Sequence, residues 1–122
     1  MREKVAVISG GTSGIGKSLV LLLIKNGIKV VTFSRKKSNI NLLLKDFQEY
    51  KKNLICYQGD VSKEKDVKLI TKSVKSKFKR IDYLINNSGT NVLSPIEKIK
   101  LNDWRNIIDV NLTGAFLLTK SF

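Results

Sequence analysis

The chain has 122 residues, 42% of them hydrophobic and 7% aromatic, with one proline and eight glycines. This suits a single modest globular core and excludes a low-complexity chain. With no histidine and one cysteine, Cys56, it offers neither a disulfide framework nor a Cys/His metal site, and no metal is expected. The net charge of +13 raises nucleic acid as a partner, but lysines outnumber arginines 19 to 4 and are spread along the chain. They form no arginine stripe with interleaved aromatics, so a solvated surface is the better reading.

Strand and helix patterns alternate with short joints. Lys4–Ser9 is a continuous apolar run of the kind buried on both faces of a parallel sheet. A helix is predicted from about Gly14 to Lys25, with Ile15, Leu19, Leu22 and Leu23 on one face and Asn26-Gly27 as its stop. Ile28–Phe33 is a second β-branched run, and Ile40, Leu43, Leu44 and Phe47 then show helical spacing. Leu54–Tyr57 makes a third strand. Ser62 is the expected N-cap of a lysine-rich helix reaching about Lys79, with Val67, Ile70, Val74 and Phe78 as its buried stripe. Ile81–Ile85 is a fourth strand. After a loop containing Pro95, a last helical pattern carries Trp104, Ile107, Ile108 and Leu118.

The order βαβαβαβα predicts a parallel sheet with helices on both faces, in one domain spanning 1–122. No apolar run exceeds Leu19–Ile24, too short to span a bilayer, and Met-Arg-Glu-Lys leads directly toward a strand rather than forming a signal peptide. A reducing, cytoplasmic setting without a membrane partner is expected.

The first strand runs into SGGTSGIG, which puts four glycines in the seven residues from Gly10 to Gly16. A strand–glycine turn–helix joint aims backbone N–H groups and a helix N-terminus at one point, where a phosphate is favoured. Gly10 lets the chain leave the strand sharply, Gly14 lets backbone approach a pyrophosphate, and Gly16 lets the helix pack closely. With Ser9, Thr12, Ser13 and Ile15, this spacing resembles the Thr-Gly-x-x-x-Gly-Ile-Gly cofactor motif of short-chain dehydrogenases/reductases. Serine at position 9 keeps the hydroxyl of that family's threonine.

Three further stretches resemble the same family in the same order. Asp60-Val61 matches its adenine-contacting pair, and Asn86-Asn87-Ser88-Gly89 matches its Asn-Asn-Ala-Gly segment along the cofactor. Asp109-Val110-Asn111-Leu112-Thr113-Gly114 matches the helix bearing its catalytic asparagine, here Asn111. The resemblance implies a Rossmann-type, doubly wound α/β fold with strand order 3-2-1-4. It implies cofactor contacts from Gly10, Thr12, Ser13, Gly14, Ile15, Gly16, Ser34, Arg35, Asp60, Val61, Asn87, Ser88, Gly89 and Val110.

The end of the second strand bears on which nicotinamide cofactor binds. Where NAD-preferring relatives carry an acid, this chain has Ser34, followed by Arg35, Lys36 and Lys37. An acid would repel a 2′-phosphate, whereas serine offers a small donor and arginine a planar, permanently charged fork. NADP(H) is therefore expected over NAD(H).

In the family, a tyrosine exchanges a proton with the reacting oxygen, a lysine four residues later lowers its pKa, and a serine orients the substrate. The residues four beyond Tyr50, Tyr57 and Tyr83 are Leu54, Val61 and Asn87, and all three tyrosines precede Asn111. The resemblance therefore covers the cofactor-binding half, leaving an incomplete sheet with strand 4 at an edge and the catalytic half absent. The expected function in the intact form is NADPH-dependent reduction of a carbonyl, closest in look to the 3-oxoacyl-[acyl-carrier-protein] reductase branch of fatty acid synthesis. That branch implies an acyl-thioester or other small-molecule substrate and a homo-oligomer. The alternative is a non-catalytic dinucleotide-binding or interaction module.

Overall fold

A computed structural model describes residues 3–122. Four strands, β1 (Val5–Ser9), β2 (Lys29–Ser34), β3 (Leu54–Gln58) and β4 (Tyr83–Ile85), form one parallel sheet in the order β3-β2-β1-β4. The helices are α1 (Gly14–Lys25), α2 (Lys37–Asp46), α3 (Glu64–Lys77), α4 (Leu101–Ile108) and α5 (Gly114–Ser121), with a π turn, Asp109–Thr113, joining the last two. The doubly wound arrangement expected from the alternating pattern is the one observed.

Successive residues of a strand face opposite sides of a sheet, so each central strand feeds two cores. Ala6, Ile8 and Val30 pack with Val20 and Ile24 of α1 and Leu43 of α2 on one face. Val7, Val31 and Phe33 pack with Val67, Ile70 and Val74 of α3 and with Val110 and Leu118 on the other. Every residue of β1 is buried, which is why this strand reads as an unbroken apolar run rather than an alternating one. The three α3 side chains sit at helical spacing and each contributes about 1.5–3 kcal/mol by leaving water.

Several local expectations are corrected. The buried positions of α1 are Gly16, Val20 and Ile24, not the face led by Ile15; Ile15 and Leu22 are exposed, and Leu19 and Leu23 only flank the core. Gly16 sits on that buried side because the Gly10 carbonyl and Asn87 leave no room for a side chain there. Ser62 does not cap α3, because its hydroxyl donates to Asp60 Oδ1 (2.6 Å) and Lys63 occupies the cap position. The helix ends at Lys77, and Phe78 adopts extended backbone while still packing on the core. β4 is shorter than Ile81–Ile85, since Asp82 there turns its carboxylate back to accept from the Val5 N–H (2.9 Å). Leu44 and Trp104 lie in helices as their spacing predicts, and both are exposed.

Candidate functional site

The site begins where β1 ends. Gly10 has φ +67°, a left-handed conformation that strains any side chain, and this turns the chain off the sheet into α1. Gly14 also has positive φ, +52°, and beyond its chain neighbours and its own helix's backbone no atom lies within 4 Å of the place a Cβ would occupy, so its backbone is open to a neighbour. Gly16 is closed instead: a Cβ there would stand 2.3 Å from the Gly10 carbonyl oxygen and 2.4 Å from Asn87 Nδ2.

Hydrogen bonds lock the neighbouring segments to this turn. The buried Ser9 hydroxyl accepts from the N–H groups of Asn87 (3.0 Å) and Ser88 (2.9 Å). Asn87 Nδ2 donates in return to the carbonyls of Ser9 and Gly10, both at 3.1 Å. The end of β4 is thereby fixed against the end of β1. After β3, Asp60 Oδ1 accepts from the Ser62 N–H (2.9 Å) as well as its hydroxyl, and the Asp60 N–H donates to Asp66 Oδ2 (2.9 Å). Between β2 and β3, Gln58 Nε2 donates to the Arg35 carbonyl (3.0 Å), and Ser34 Oγ accepts from the Lys36 N–H (3.3 Å).

These segments surround one cleft of about 370 Å³ at the carboxyl ends of the strands. Gly10, Thr12, Ser13 and Ile15 line it from the glycine turn, Ser34 and Arg35 from β2, and Asp60 and Val61 from after β3. Asn87, Ser88 and Gly89 line it from after β4, and Val110 from the π turn. Gly14 and Gly16 belong to the same turn but are not among the lining residues. Asn111 lies beside the cleft, on a cavity of about 20 Å³ shared with Ser88 and Gly114. Its amide is stapled to the loop after β4: Oδ1 accepts from the Thr90 N–H (2.7 Å) and Nδ2 donates to the Thr90 carbonyl (3.0 Å). The π turn that carries it breaks the regular helical ladder, a feature often found at functional sites.

Three lining residues escaped the motif reading: Phe33, Asn39 and Gly59. Asn39 is in the first turn of α2, near enough to the Ser34–Arg35 corner that its place after β2 was the available signal. Thr32 was also missed. It lies one position before Phe33 and bonds the glycine turn through Gly11.

A parallel sheet in this order, with a glycine turn between its first strand and first helix and a cleft at its strand ends, defines a Rossmann-type protein. Residues 4–122 match the family model described as short chain dehydrogenase, and the chain belongs to that family. It is 34% identical over 122 residues to a 3-oxoacyl-[acyl-carrier-protein] reductase of Synechocystis sp., covering 99% of this chain and 49% of the relative. Among solved structures it is similar to ElxO with NADP bound, at 31% identity and TM-score 0.91, over 98% of this chain and 49% of that one. It is also similar to an actinorhodin polyketide ketoreductase with NADPH, at 27% identity and TM-score 0.91, over 98% and 46% respectively. The chain spans about half the length of these relatives.

Proposed function

We propose that this chain binds NADP(H) and supplies the cofactor-binding half of a carbonyl-reducing short-chain dehydrogenase. The observation that carries the reading is the cleft itself, which joins the glycine turn at one end to Ser34 and Arg35 at the other, with serine rather than an acid at the end of β2. The residues fit a dinucleotide: Gly14 leaves open backbone for a pyrophosphate, and Asp60 keeps Oδ2 without a hydrogen bond among the described residues. When bound, the nicotinamide supplies or accepts the hydride. The chain's own part is to hold the phosphates at the turn, orient the adenosine end at Ser34 and Arg35, and place Asn111 beside the nicotinamide end.

The NADP- and NADPH-bound relatives support this cofactor, and the Synechocystis relative supports a 3-oxoacyl thioester as substrate class. Fluorescence titration should give tighter binding of NADPH than NADH, and Arg35→Ala should narrow the gap by removing the fixed charge. Equal affinities in the unaltered chain would overturn the preference. No tyrosine of the chain precedes a lysine by four residues, which favours, as a second reading, a module that binds cofactor without turning over. On that reading the purified chain leaves NADPH unoxidised in the presence of acetoacetyl thioesters, and measurable oxidation excludes it. The reductase would act as a homo-oligomer in the cytoplasm. No helix among the described residues is long and apolar enough to cross a membrane.

A further inference from the structure

Thr32 belongs to none of the motifs, yet it connects the two ends of the cleft. It lies in β2, opposite Ile8 in the parallel register, and is completely buried (0% exposed). Its hydroxyl donates to the Ile8 carbonyl (2.8 Å) and accepts from the Gly11 N–H (3.0 Å). A valine would fill the same volume in this apolar face, so shape alone does not call for a hydroxyl. The neighbour across from it is matched to it: a Cβ on Gly11 would stand 2.3 Å from Thr32 Oγ1 and 2.8 Å from Val20 Cγ2. Glycine at 11 and threonine at 32 therefore form one device, in which the missing side chain makes room for the hydrogen bond.

That bond ties the second residue of the glycine turn to the strand that ends two residues later at Ser34, with Arg35 directly after it. We infer that Thr32 is a positioning residue for the NADP(H) site, fixing the phosphate-facing turn against the corner that meets the adenosine ribose. The inference rests on the proposed cofactor reading. Without the hydroxyl, the buried Gly11 N–H loses its partner, and the turn must shift toward water or another acceptor to recover one. Thr12 and Ser13, next along the chain, would move with it.

The test is NADPH titration of the full chain and its variants, with circular dichroism to establish folding. Thr32→Val should bind NADPH about ten-fold more weakly, the loss of roughly one buried hydrogen bond's alignment, and exchange the Gly11 amide proton faster. Thr32→Ser, which keeps the hydroxyl, should stay within about two-fold of the unaltered chain. If Thr32→Val does not fold, Thr32→Ser against Thr32→Ala carries the comparison, since both lose the methyl and differ only in the hydroxyl. A Thr32→Val or Thr32→Ala chain that folds, even at lower stability, and binds NADPH like the serine variant overturns the positioning role and leaves the cofactor reading intact. An unaltered chain that binds no dinucleotide overturns both.

Discussion

Gly16 shows how much one missing methyl group can hold in place. Alanine is the better helix former by about 1 kcal/mol, so propensity alone favours Gly16→Ala. Its Cβ would nonetheless meet the Gly10 carbonyl oxygen and Asn87 Nδ2, both part of the turn and its lock. Overpacking of that kind costs about 1–3 kcal/mol, so the clash should win. Urea denaturation should show a net loss of stability in Gly16→Ala, and NADPH binding should fall with it; a gain in stability would mean that the turn yields freely. Cys56 gives a second residue-scale prediction. Burial pushes its thiol up to about 11, because the thiolate is disfavoured away from water. The folded state then holds its proton where the unfolded state releases it, so this contribution to stability is full below the ordinary thiol range and is lost as pH rises toward 11. Cys56→Ala should flatten the decline in unfolding free energy over that alkaline window. An unchanged slope would assign the decline to other groups.

At the scale of elements, α3 combines a well-formed buried stripe with one flaw. Val67, Ile70 and Val74 face the sheet as the helical spacing predicts, but Thr71 is also buried, and among the described residues its hydroxyl has no hydrogen-bond partner. An orphaned buried hydroxyl costs about 1–3 kcal/mol, and valine matches threonine in shape and helix propensity. Thr71→Val should therefore raise the unfolding free energy by about 1 kcal/mol in urea melts; a loss would show that the hydroxyl is satisfied in solution. Sequence spacing could find the stripe because three- and four-residue steps repeat. It could not find the face of α1, where apolar residues occur on nearly every side and the buried side includes Gly16, which has no side chain to show in a hydrophobic pattern. The π turn was equally hidden, since Asp109–Thr113 has ordinary helical composition and its extra residue shows only in three dimensions.

For the whole molecule, the charge of +13 is a folding cost as well as a surface property, because like charges are brought together as the chain compacts. Raising salt from about 0.01 M to about 0.3 M shortens the screening length well below the molecule's diameter. The melting temperature should rise over that range, and a flat or falling profile would show that local ion pairs such as Lys68–Glu64 outweigh the net repulsion. The sequence by itself determined the class of the fold, because alternating periodicities admit few topologies, while the strand order followed from the resemblance that its motifs carry. The motifs that carry the family resemblance also pointed to most of the cleft's lining, though not to Phe33, Asn39 or Gly59. Only the tertiary structure decided the long-range partners: Ser9 with Asn87 and Ser88, Asn111 with Thr90, and Thr32 with Gly11. These bonds join residues 21 to 79 positions apart, and no local pattern records which distant group a buried donor will find.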